Sequence, residues 1–233
     1  PGPIASTTPQ PSEKGVITPD AVAEVYPLFQ EAARGGDREA RAWVSEQDFA
    51  AERYASARTW LEARIEDGER EAVEPLLKIY AMKRADLPRD VLHERGVLNR
   101  ILTAADAPAE ASMLLARNYE DPDAEPDAAK AFRFYLRAAR GGHEPAWIEV
   151  AERYAKGEGV AAEAGAAAAW ATKAFAAGER ERSVPLLLEL MKRSPERVVA
   201  QIQSLFERES VAVPGGYTET RVEPAGVTQL KVL

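Results

Sequence analysis

The chain has 233 residues, a formal net charge of −8, two histidines and no cysteine. The absence of cysteine removes disulfides, thiolate chemistry and cysteine-based metal sites. The acidity argues against nucleic acid, whose phosphates require a basic face, and no apolar run approaches the ~18 residues of a membrane-spanning helix.

Taken in order, residues 1–16 (P-G-P-I-A-S-T-T-P-Q-P-S-E-K-G-V) hold Pro, Ser, Thr and Gly and little to bury. They read as a flexible linker or an ordinary disordered terminus. The stretch opens on Pro1 and not Met, so it is expected to be a mature or trimmed form. Thr18-Pro19-Asp20 is a helix start, with a hydroxyl cap, Pro in the first turn and an acid near the positive helix end. That helix is expected to run to about Arg34, with a kink or a late start at Pro27. The next hairpin is expected over residues 37–47 and 49–66, with Trp43, Tyr54, Trp60 and Leu61 in the core.

A third segment pairs residues 70–83 with 91–103, with Leu76, Leu77, Tyr80, Leu92, Leu98 and Leu102 inside. Pro75 belongs in or near its first turn. A helix over 110–119 is followed by Asp121-Pro122-Asp123-Ala124-Glu125-Pro126-Asp127. This acidic loop lacks the alternating ligands and the glycine of a calcium loop, and capping explains it. Residues 130–140 carry apolar Ala131, Phe134, Tyr135 and Ala138 at helical spacing. Gly141-Gly142 ends that helix, and Pro145 starts the next, whose stripe is Ala146, Val150, Ala151 and Tyr154. Gly157-Glu158-Gly159-Val160 breaks it before an alanine-rich helix over 166–176. The last hairpin is expected over 182–192 and 196–208. Residues 210–233 then change character, with β-prone alternation in Tyr217–Val222 and again in Val227–Leu233 around Pro224-Ala225-Gly226.

The turns at Gly36, Gly68, Ala107, Gly142 and Gly178 lie about 32 to 39 residues apart, the range of helix–turn–helix repeats. F-Q-E-A-A-R-G-G-D-R-E-A-R-A-W at Phe29–Trp43 matches Y-L-R-A-A-R-G-G-H-E-P-A-W-I at Tyr135–Ile148. One hairpin cannot bury both faces, so stacked hairpins share a core, and small residues let them approach closely. At Ala146, Val150, Ala151, Tyr154, Gly157, Gly159 and Val160 the chain resembles the Sel1-like repeat family, a relative of tetratricopeptide repeats. The family pattern there is A-x-x-x-L-G-x-x-Y-x-x-G-x-G-V. Lys130, Ala131, Phe134, Tyr135, Ala138, Ala139 and Gly142 match its second half, K-A-x-x-W-Y-x-K-A-A-x-x-G. The match is specific over about residues 108–178 and degenerate elsewhere. The resemblance implies an all-α protein, a right-handed α-solenoid of about five helical hairpins over residues 17–209, acting as a protein-binding scaffold.

No nucleophile–base pair, P-loop, dinucleotide fingerprint or HExxH is present, and His93 and His143 stand far apart in the repeat register. The expectation is a non-enzyme with no cofactor and no metal. First helices of such repeats line the concave groove, so Trp147, whose register points away from the core stripe, is a candidate anchor there; the alternative is packing against a neighbouring helix. Arg41, Arg117, Glu149 and Arg153 are groove candidates beside it, since aromatic and arginine residues dominate interface hot spots. In the tail, Tyr217, Val222, Leu230 and Val232 are candidates for adding a strand to a partner sheet. The layout of linker, repeats and no cysteine is similar to Sel1-repeat lipoproteins of bacterial exopolysaccharide (alginate-type) secretion machines. It implies a periplasmic, outer-membrane-anchored scaffold whose partner is a secretion component. Membrane contact is then expected only through an N-terminal lipid anchor outside this stretch. Two other readings stand beside it: a cytoplasmic regulatory adaptor of the same fold, and a cell-wall glycan-binding or glycan-modifying protein.

Overall fold

The computed structural model describes residues 19–82, 84, 86–200 and 203. The described residues form α-helices and short turns, with no strand among them. The helices are α1 (Pro19–Arg34), α2 (Arg38–Ala50), α3 (Tyr54–Glu66), α4 (Val73–Ala81) behind a 3₁₀ turn at Arg70–Ala72, and α5 (Val91–Ile101). They continue with α6 (Ala109–Asn118), α7 (Ala128–Arg140), α8 (Pro145–Lys156), α9 (Ala164–Ala176) and α10 (Arg180–Arg193). Residues 195–200 are helical and follow α10. Helices pack chiefly on the next helix in sequence or the one after it, which is how a solenoid differs from a globule.

Local chemistry sets the helix ends. Asp37, Asp90 and Asp127 each accept a hydrogen bond from a first-turn N–H, at Ala40 (2.8 Å), His93 (3.0 Å) and Lys130 (2.9 Å). Glu163 does so for Gly165 and Ala166 at the start of α9. The acidic loop before α7 therefore includes a cap, and its Asp121 meets Arg89 at 3.5 Å. Each hairpin opens on a buried small residue: Ala40, Ala72, Ala111 and Ala146, each four residues after its turn. In α10 the buried small residue is Ser183, five residues after Gly178. The last copy thus runs one residue out of phase, and Val184 is the counterpart of Trp147.

The core is a row of clusters. The largest joins α3 to α6 through Leu61, Ile65, Leu76, Leu77, Leu98 and Leu115. Met113, Phe132, Tyr135 and Val150 form the next, and Ile148, Ala167, Ala168, Ala171, Leu186 and Val198 the third. Burial of each such leucine or isoleucine contributes on the order of 1.5–3 kcal/mol. Tyr54, Trp43, Trp60 and Trp170 are half-buried against these clusters.

The G-x-G loop has a packing cause. Gly157 caps α8 in the left-handed conformation at φ 78°. Gly159 also has positive φ, at 72°, and a Cβ there would overlap the Ala128 carbonyl at the start of α7. Only glycine lets this loop lie against the neighbouring helix end.

Three expectations need correction. The α2–α3 break falls at residues 51–53 and not at Asp48. Asp48 is fully buried and accepts hydrogen bonds from Tyr26, Arg53 and Ser56, so it stays in the helix; the chain turns at Glu52, with φ 57°. Leu92 is 61% exposed, because the buried stripe of α5 is Glu94, Val97, Leu98 and Ile101. Glu94 is tolerated there by its 2.6 Å pair with Arg89. Finally, α1 starts at Pro19 and continues through an exposed Pro27. The linker, Ile202, Leu205 and the tail with Tyr217, Val222, Leu230 and Val232 lie outside the described residues.

Candidate functional site

The five groove candidates do not share one role. Trp147 is half-buried and is not a free anchor. It packs against the clusters on both sides, its Nε1–H donates to the Ala139 carbonyl (3.1 Å), and the Lys173 ammonium lies 4.6 Å from its ring centroid. Being one step from buried Ala146, its side chain enters the seam between α7 and α9. The packing alternative describes it. Arg41 likewise serves structure: it pairs with Asp67 and its Nε donates to the Ala33 carbonyl (3.1 Å), tying α2 to the turn after α3.

Arg153 and Glu149 belong to an internal network. Arg153 is buried, lies 3.9 Å over the Tyr135 ring, pairs with Glu120, and donates to Glu149 Oε2 (2.8 Å). The Tyr135 hydroxyl donates to Glu120 Oε2 (2.6 Å). Burial is the main cause that pushes the Tyr135 phenol far above its ordinary range, with the Glu120 hydrogen bond adding to it. Glu149 Oε1 accepts from Arg182 (2.9 Å), and Arg182 also donates to Glu152 (3.0 Å). Burial raises the Glu149 pKa, but hydrogen bonds from Arg182 and Arg153 outweigh it and hold the carboxyl below its usual value. The network joins α7, α8 and α10, with each charge paired as burial demands.

Arg117 is different. It lies in the last turn of α6, is exposed, and its side chain has no hydrogen bond or ion pair among the described residues. It walls two clefts at once. One, of about 340 Å³, is lined by Arg117, Glu144, Ile148, Glu149, Glu179 and Arg182. The other, of about 370 Å³, lies towards α4 and α5 and includes Tyr80, Met82, Arg89, Leu98 and Leu114. Buried Ile148 and Ala174 floor the first cleft, and its ionic groups are two arginines and three glutamates. His143 lies within electrostatic reach of Arg117; burial, mainly, lowers its pKa, and the Arg117 charge adds to that. Such a surface offers ion pairing and apolar contact. Glu144 and Arg182 were absent from the sequence candidates. The signal for Arg182 was hidden by the one-residue phase slip in α10.

No protein-family model and no curated protein matches this sequence. Solved structures do. A protective antigen present in uropathogenic Escherichia coli strains, displaying an SLR fold, aligns with a TM-score of 0.57 at 17% identity. The alignment covers 90% of this chain and 47% of that one, so this chain spans about half the length of that protein. A Sel1 repeat protein from Oxalobacter formigenes aligns with a TM-score of 0.43 at 16% identity, over 80% of this chain and 87% of that one. The chain has the Sel1-like repeat fold, an α-solenoid.

Proposed function

We propose that this chain is a non-catalytic scaffold that binds another protein along the face centred on Arg117. The observation that carries this reading is an exposed, unpaired arginine standing between two clefts, each with an apolar floor and a charged rim. Apolar floors under paired charges are the anatomy of protein interfaces, where a few arginine or aromatic anchors dominate. The repeat fold supports it, since stacked hairpins present extended binding surfaces. A photo-crosslinking residue placed at Arg117 should capture a partner that the same residue at exposed Thr59 does not. Arg117→Glu should then weaken binding of the identified partner about tenfold. Equal capture at both positions removes the Arg117 face from the proposal.

The finer reading places the scaffold in the bacterial envelope, outer-membrane-anchored, within an exopolysaccharide secretion complex. It is supported by the layout of a polar linker, repeats and no cysteine. Labelling of the full-length protein with palmitate in its native cell is expected on this reading. A full-length protein that takes up no label leaves the cytoplasmic adaptor as the better placement.

A further inference from the structure

The outward face of α7 departs from the rest of the molecule in charge. Lys130, Arg133, Arg137 and Arg140 stand at spacings of three, four and three residues, all exposed, and the helix contains no acidic residue. These spacings place the four on one stripe. They span about 15 Å at ~1.5 Å per residue. Helix α7 thus carries +4 in a chain of −8, leaving −12 on the remainder. Arg133 and Arg140 have no hydrogen bond or ion pair from their side chains among the described residues. Lys130 is held by Asp127 at 3.1 Å, and Arg137 donates to the Leu102 carbonyl at 3.2 Å.

An apolar cleft of about 420 Å³ opens on this stripe between Tyr119, Lys130, Arg133, Phe134 and Arg137. Its two rings are stacked, with centroids 5.6 Å apart and planes 5° from parallel. Arg95 covers the Tyr119 ring at 4.3 Å, which fixes the pair in place.

We infer that this face docks an acidic peptide segment of a protein partner, with one apolar side chain seated against Phe134 and carboxylates on the arginines. The site is separate from the Arg117 face. Charge complementarity selects the occupant, and so does its extent. The basic stripe is short, and the rest of the chain sums to −12. A long polyanion or a flat anionic membrane would reach beyond the stripe to a remainder that is net acidic, whereas a short peptide does not. An extended chain advances about 6.8 Å for every two residues, so about three carboxylates on one face span the stripe.

Fluorescence anisotropy of the full chain against a labelled peptide with glutamates on both sides of a single phenylalanine tests this. Saturable binding that weakens steeply with salt is expected. Arg133→Glu/Arg140→Glu should weaken it about tenfold or more with an unchanged melting curve, as both side chains are exposed. Phe134→Ala should reduce the affinity to that of an all-glutamate peptide, separating the anchor from the charge. Unchanged affinity in the double variant overturns the proposal. So does equal binding of the two peptides by the native chain. Tighter binding of phosphatidylglycerol vesicles or a single-stranded oligonucleotide, lost in the same double variant, also overturns it, since α7 would then be a general polyanion surface.

Discussion

The stretch from α6 to α9 and the pair α1–α2 bury their surfaces by different means. In the middle, backbones approach closely. Gly159 lies against the Ala128 carbonyl, a Cβ at Gly141 would meet that of Ala109 at 2.8 Å, and Ala167, Ala168, Ala171 and Ala174 are all buried. Among the described residues, the buried apolar cluster of α1–α2 is Ala33, Ala40 and Val44, roofed by Tyr26, Trp43 and Trp60. Phe29 lies tilted against Trp43 with ring centroids 4.4 Å apart, and Leu28 remains 67% exposed. Each of α6 to α9 packs on a described helix at either side, so small residues suffice to seal it. No described helix precedes α1, and large rings cover its cluster. Packing tolerance should therefore be lowest in the middle and highest at α1.

The sharpest test is Gly159→Ala. Positive φ and overlap with backbone both oppose the added methyl, and the colliding atoms cannot rotate away. A loss of about 3 kcal/mol is expected. For a domain of this size that lowers Tm by roughly 6–12 °C. An unchanged Tm would falsify the close-approach account of the G-x-G loop. Next is Asp48→Ala at the end of α2. It leaves Tyr26 and Ser56 without their acceptor and removes the buried partner of Arg53. A loss of about 2 kcal/mol is expected, read by urea denaturation. This tests whether the α1–α2 pair depends on one polar hub where the α6–α9 stretch depends on close contact.

This contrast also separates what was legible in the sequence from what was not. Turn spacing and the buried small residues could be read, because close packing leaves glycine and alanine at fixed intervals; the stripes of α7 and α8 could be read in part, since Phe132 and Ile148 are buried where helical spacing puts Phe134 and Tyr154, both half-buried. The phase slip at Ser183 could not, since one extra residue in a helix entry leaves periodicity intact. Leu92 was misplaced because a buried Glu94, sustained by Arg89, occupies the stripe where an apolar residue was sought. At the candidate site, Trp147 was placed in the groove by its register, and Arg41, Arg117 and Arg153 by residue type. Tertiary partners then tie Trp147, Arg41 and Arg153 into packing or a network, and Arg117 alone of these four has no side-chain hydrogen bond or ion pair among the described residues. The α2–α3 break was expected between residues 47 and 49, yet three donors hold Asp48 inside the helix.

A smaller effect comes from acid. Glu149 has its pKa lowered on balance, so the unfolded chain binds more protons than the native one as pH falls. Its stabilisation is complete above the unfolded value near 4.5 and is lost as pH falls through the lower folded value. Native protein should therefore lose stability below about pH 4.5 more steeply than Glu149→Gln, when melting is followed at stepwise lower pH. Parallel curves would mean that the Arg153–Glu149–Arg182 network does not couple α8 to α10.

The smallest expected effect is at Leu28. Its exposure leaves little surface to withdraw from water, so Leu28→Ser should change stability by less than about 0.5 kcal/mol. The same chemical change at Leu76, fully buried in the α3–α6 cluster, removes apolar contact and buries a hydroxyl, with a loss of about 3–5 kcal/mol expected. The ratio of the two is the informative quantity. If Leu28→Ser proves as costly as removal of a ring in contact, such as Phe29→Ala, at about 1 kcal/mol, then α1 is covered by something in the folded chain. The aromatic roof over Ala33, Ala40 and Val44 would not then be the outermost layer, and the contrast between α6–α9 and α1–α2 would narrow.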